Sequence, residues 1–157
     1  MAEQNQLAQA TFATLCQMLT NEEWKFKKDE EKLTIECGAQ GEDLPIQITI
    51  EVDAKREIVF LFSPLPCVTP EDKRLDMAIA ISAVNNSMAD GCFDYDVATG
   101  RTFFRLTNSF KDSTLGEGLF KHMLMLACHV VDHYNDKFLM LSKGMIEMEK
   151  FLAEEMN

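Results

Sequence analysis

His129 and His133 stand four residues apart with Asp132 and Asp136 beside them, the arrangement in this chain best suited to a metal ion. On a helix that spacing projects two imidazoles from adjacent turns, close enough to share zinc. The glutamate base of an HExxH hydrolase is missing, because Val130 occupies its place. His122, His129 and His133 all fall opposite or beside the apolar stripe of their helix, where a solvated face is expected. Asp94 and Asp96, with Asp90 nearby, could pass for paired carboxylates. They alternate with Phe93 and Tyr95, which places them on the solvent face of a hairpin. The ligand spacing and closing glutamate of an EF-hand are lacking. Cys67 and Cys92 lie near element ends with no local base to supply a thiolate. Gly116-Glu117-Gly118 opens a helix without the rest of a phosphate loop. No catalytic residue, metal or cofactor is expected.

The elements that position these residues follow from periodicity. From Phe120 to Leu152 the apolar residues step four, three, four, three: Phe120, Leu124, Ala127, Val131, Tyr134, Phe138, Leu141, Met145, Met148, Leu152. That spacing keeps one helical face apolar, and the face needs cover. Residues 4 to 20 predict a first helix with Leu7, Thr11, Leu15, Met18 and Leu19 along one side. Lys32 to Cys37 is a short strand. Ile46, Ile48, Ile50 and Val52 alternate with polar residues as a half-buried strand. In Glu57 to Phe62, Ile58 to Phe62 are all apolar, which predicts a central strand covered on both faces. Ser63-Pro64-Leu65-Pro66 then ends the sheet. Thr69 as N-cap and Pro70 at the first helical position start a middle helix that runs to about Met88. Cys92 to Val97 and Thr102 to Thr107 form a second hairpin. The order is α-β-β-β-α-β-β-α, an antiparallel sheet flanked by helices in an α+β domain. One domain spans 1–157, with an N-terminal helix and a C-terminal helical extension over 145–157.

Bulk properties narrow the function. The chain has 157 residues, 46% hydrophobic and 26% charged, with a formal net charge of −11. Such a field repels phosphate backbones and anionic lipid, so neither nucleic acid nor a membrane is an expected partner, while a basic polypeptide is compatible with it. No stretch reaches the ~18 apolar residues of a membrane span, and the N-terminus has no basic region followed by an apolar run. Five cysteines without a CxxC pair suit a reducing cytoplasm.

On a helical wheel of the middle helix, Leu75, Ala78 and Ile79 form one stripe, and Met77, Ile81, Val84 and Met88 another roughly opposite. One stripe can lie on the sheet and the other needs separate cover, which predicts a homodimer through Met77, Ile81, Val84 and Met88. In the tail, Met145, Met148, Phe151 and Leu152 offer an adaptable apolar face rimmed by Glu147, Glu149, Glu154 and Glu155, a candidate partner surface.

Asn85-Asn86 at a helix end, then Gly91-Cys92-Phe93-Asp94-Tyr95-Asp96, a turn at Gly100, Phe103-Phe104-Arg105, and later Val131-Asp132-His133-Tyr134 with Gly144 make a pattern that resembles the YbjN-type domain. The resemblance spans about residues 30 to 145. It implies a fold similar to the type III secretion chaperones, small acidic dimers that hold extended effector segments, and it transfers no catalytic residue. The expectation is a non-enzymatic, cytoplasmic, chaperone-like or regulatory module that binds another polypeptide. The alternatives are a dedicated secretion chaperone and, in a different class, a small metal- or thiol-dependent enzyme using His129, His133 or Cys67.

Overall fold

The computed structural model describes residues 2–155, with side chains from Asn5 onward; Met1, Met156 and Asn157, at the ends of the chain, lie outside the described residues. After helix α1 (Ala2–Asn21) come β1 (Phe26–Asp29), β2 (Thr34–Gln40), β3 (Pro45–Asp53) and β4 (Ile58–Val68). Helix α2 (Arg74–Ser87), β5 (Cys92–Asp96), β6 (Arg101–Ser109), α3 (Glu117–Ser142) and α4 (Met148–Glu155) follow. The strands form one antiparallel sheet in the order β1-β2-β3-β4-β6-β5. The expected α+β order holds with two additions, the short edge strand β1 and the separate α4. Lys27 and Lys28 give β1 a charged, four-residue edge, a common protection against stray strand pairing.

Alternation along the strands shows which face is covered. Ile46, Ile48, Ile50 and Val52 of β3, Val59, Leu61 and Leu65 of β4, and Phe104 and Leu106 of β6 all point into the core beneath the helices. From α3, Phe120, Leu124, Ala127, Val131, Tyr134, Phe138 and Leu141 enter the same core, so the apolar ladder is real over that length. It stops where α3 ends. Gly144 takes φ +67°, and the N–H groups of Gly144 and Met145 bond back to the carbonyls of Leu141 and Met140 at 3.0 and 2.9 Å. This left-handed cap closes α3 and restarts the chain in a new direction, so α4 is a separate element rather than a further turn of α3.

Three further expectations change. The prolines do not end the sheet: β4 continues to Val68, because a register shift between Pro64 and Val68 accommodates residues that cannot donate to the ladder. Thr69 is not the helix cap. Its N–H still bonds the carbonyl of Gly100 at 2.8 Å, which holds it extended. Pro70 instead caps a 3-10 turn over Glu71–Lys73, and α2 begins at Arg74. The stripes of α2 are also reversed from the dimer expectation. Met77, Ile81 and Val84 are buried inside this chain, while Leu75 is 73% and Ile79 47% exposed.

The end of α2 fixes the sheet edge. Asn85 accepts from the Phe93 N–H and donates to the Phe93 carbonyl, both at 2.8 Å, as a neighbouring strand would. Gly91 (φ +74°) turns the chain into β5 so closely that a Cβ would meet the Phe104 ring at 2.5 Å. Replacing Asn85 with Ala leaves two partly buried backbone groups unpaired. We expect a loss of about 1–3 kcal/mol in urea unfolding; an unchanged midpoint would mean that water satisfies them equally well.

Candidate functional site

The other face of the sheet carries the candidate site. The exposed-side residues of β4 are Ile58, Phe60, Phe62, Pro64, Pro66 and Val68, an apolar row left uncovered by the helices. Both faces of this strand are apolar, as expected, but only one is buried. Cross-strand register sets the neighbours: Phe60 lies opposite Glu51 and Thr107, Phe62 opposite Thr49 and Arg105, and Pro64 opposite Phe103. The Phe60 and Phe62 rings sit 5.6 Å apart at 45°. Phe60, Phe62, Pro64, Pro66, Val68 and Phe103 line most of a hollow of about 490 Å³. Val68, at its end, is 56% exposed.

Polar groups bound this apolar row on both sides. Arg105 donates to both carboxylate oxygens of Asp94, at 2.5 and 3.2 Å, and its Nη2 also lies 3.2 Å from the Cys92 sulfur. The pair is about one-third exposed, so it contributes less than about 1 kcal/mol to stability; it fixes the Arg105 side chain on the strand position opposite Phe62. Towards β1, a second hollow of about 630 Å³ is lined by Lys25, Lys27, Glu36, Gln47 and Thr49 among others. The face therefore grades from aromatic at β4–β6 to charged at β1–β3. That gradient suits a polypeptide with apolar side chains flanked by polar ones. It places no nucleophile, base and oxyanion donor together.

The residues singled out for chemistry fall elsewhere. His129 and His133 are exposed on α3; His133 lies 3.0 Å from the Lys137 ammonium, and His122 lies 3.3 Å from Asp90. Among the described residues no group of three or more His, Cys, Asp or Glu is placed to hold a metal. Asp96 is spent on its own turn, accepting from Ala98 and Thr99. Asp132 instead ties α3 to the β2–β3 loop, accepting from the Glu42 N–H at 2.8 Å, and Gly41 is needed where that carboxylate passes. The tail turns its apolar face inward: Phe151 is buried, Met148 and Leu152 are half-buried, and Met145 is 69% exposed. The unbroken apolar run Ile58–Phe62 does not reveal that Phe60 and Phe62 lie on an open face, and nothing in β6 marks Phe103 as their neighbour. The signal was present in the period-two run that continues through Pro64, Pro66 and Val68.

Burial raises the pKa of every thiol. It pushes Cys37 up to about 12, helped by Cys128, and Cys128 to about 11, helped by Asp132. Cys16 rises mainly by burial, and so does Cys67, partly countered by Lys143. Burial and Asp94 raise Cys92 against the pull of Arg105. All five shifts run against thiolate formation at neutral pH.

No family model matches the chain, and no curated protein matches it in sequence. Solved structures match in fold. YbjN from E. coli, described as a candidate transcription regulator, superimposes with a TM-score of 0.57 at 11% identity, over 79% of this chain and 87% of that one. A chain of the ExsC–ExsE complex gives 0.57 at 14% identity, over 80% and 90%. A chain of the HopA1–SchA chaperone–effector complex gives 0.53 at 16%, over 82% and 95%. The chain therefore has the YbjN-type, type III secretion chaperone-like fold.

The raised thiols give a direct check on the enzymatic alternative. At neutral pH all five cysteines of the folded protein should react with a disulfide reagent more slowly than free cysteine, and all five should react promptly in denaturant. One thiol that labels faster than free cysteine would mark an activated nucleophile.

Proposed function

We propose that this chain is a chaperone-like or regulatory protein that binds another polypeptide on the open face of its sheet. The observation that carries the reading is the row Phe60, Phe62, Pro64, Pro66 and Val68 with Phe103 alongside, an aromatic and proline-rich strip on a strand whose other face is already the core. Contact with an apolar partner would release water from this strip at about 25 cal/mol per Å² before ordering costs. The net charge of −11 favours a partner segment with basic flanks. The fold neighbours add support, since one belongs to a chaperone–effector complex and another to a two-protein complex. In this reading the function is non-enzymatic and the setting a reducing cytoplasm, which the five free cysteines suit. A dedicated secretion chaperone is a special case of the same activity, and an effector as partner would identify it.

We also infer a homodimer, through the outer stripe of α2 rather than the buried one. Leu75 projects from this stripe, while Ala78, Ile79, Ser82, Ala83 and Asn86 with Leu152 surround a hollow of about 510 Å³. Knob and hollow lie on one helix, so a two-fold axis can pair each with the other. None of these residues is charged, which spares the seam the like-charge repulsion that two acidic copies meet elsewhere.

Affinity capture with the full chain as bait tests the main reading. The unmodified protein should retain a polypeptide that the Phe62→Asp variant loses about tenfold or more, the cost of an anchor removed from an interface centre. Equal capture by both baits would place binding elsewhere. For the dimer, light scattering at micromolar concentration should show two copies, and one copy for Ile79→Asp. A monomeric unmodified chain would refute it.

A further inference from the structure

Helix α4 is held by two anchors. Phe151 is its one fully buried side chain and stacks on Phe138 of α3 at 5.9 Å. Phe138 continues into Phe93 at 5.1 Å and Tyr134 at 5.7 Å, so Phe151 caps a column of rings that reaches the sheet. One helical turn later, Glu155 places its carboxylate between two donors of α3. Lys137 donates to one oxygen at 2.6 Å and the Tyr134 hydroxyl to the other at 2.9 Å, with the Glu155 side chain only 8% exposed. Spacing of four puts both anchors on one face. Glu149, Lys150, Ala153 and Glu154 face solvent.

The end of α3 does not need α4 in place. The left-handed cap at Gly144 satisfies the end of α3 by itself. Eight residues are too few to stay helical alone in water, so α4 is a helix because it is docked. Phe151, the clamped Glu155 and the half-buried Met148 and Leu152 are set against the ordering of those eight residues and a short connector. What remains on α3 when α4 leaves is a ready site: an aromatic column beside a lysine and a phenol that together receive a carboxylate.

We propose that this groove beside α2 and α3 is a helix-binding site, occupied in cis by α4, whose external partner is an amphipathic helix bearing an aromatic side chain and, four residues on, a carboxylate. Helix-in-groove recognition reads anchors at this spacing. The chemistry of the partner follows from the occupant already seated there: any competitor must fill the place of Phe151 and engage Lys137 and Tyr134. The site lies on the helical side of the molecule and does not rest on the open sheet face, so either can fail without the other.

The test uses a fluorescein-labelled peptide of residues 145–155 and the full-length chain. The tethered α4 should exclude the peptide from the unmodified protein. Phe151→Ala, which leaves the α3 side of the groove intact, should bind the peptide about tenfold tighter or better, because affinity scales with the fraction of open sites. A peptide carrying both Phe151→Ala and Glu155→Gln should not bind. Equal peptide affinity for the unmodified and Phe151→Ala chains, no binding by either, or binding that survives in the doubly changed peptide would each overturn the proposal. Should Phe151→Ala fail to fold, Glu155→Gln in the chain removes the other anchor without opening the core. It must then show the same gain in peptide affinity, and its absence likewise overturns the proposal.

Discussion

The strand from Ile58 to Val68 is apolar on both faces, while the helices cover only one of them. That imbalance governs the rest of the molecule. Val59, Leu61 and Leu65 point into the core with α3 above them, and this packing fixes the sheet against the helices. Phe60 and Phe62 on the opposite side are only half-buried, by their strand neighbours, and Pro64, Pro66 and Val68 beside them are exposed. Ordinary surfaces scatter single apolar residues; a contiguous row on a flat sheet face marks a contact surface.

The covered side achieves its closure through a few specific devices. Asn85 finishes the free edge of β5 with its own amide, and Asp132 ties the β2–β3 loop to α3. The ring column from Phe104 through Phe93 and Phe138 to Phe151 links the sheet, α3 and α4 in one line. Edge-to-face and stacked pairs of this kind add about 0.5–1.5 kcal/mol each beyond their buried area.

Much of this organisation was legible in residue patterns. Period-two alternation located β3 and the β5–β6 hairpin, and the four-three ladder located α3 with its buried face. The misreadings share a physical origin in information that is not local. Whether an apolar strand is covered once or twice depends on how many helices reach each face, which Ile58 to Phe62 do not encode. The two stripes of α2 were both visible, but choosing the buried one required the sheet's position. Pro64 and Pro66 argued for a break because their missing N–H groups weaken a ladder; the register shift that tolerates them is a property of the β4–β6 pairing. The break at Gly144 was the subtler case, since a glycine within a helical pattern costs about 1 kcal/mol whether or not it ends the helix. Of the candidate site, Phe60, Phe62 and Phe103 were seen as strand residues and not as a surface. The three histidines lie on the solvated face expected of them, whereas Asp94 and Asp132 are half-buried, one paired with Arg105 and the other tied to Glu42.

The central claim is that the open sheet face holds a polypeptide, and photo-crosslinking in the native cell tests it most directly. The benzophenone analogue of phenylalanine is placed at Phe62 on the open face and, in a parallel chain, at Met125 on the exposed side of α3. The account predicts a defined cross-linked polypeptide from position 62 and none from position 125. Cross-links from position 125 alone, or none from position 62 in a folded protein, would contradict it.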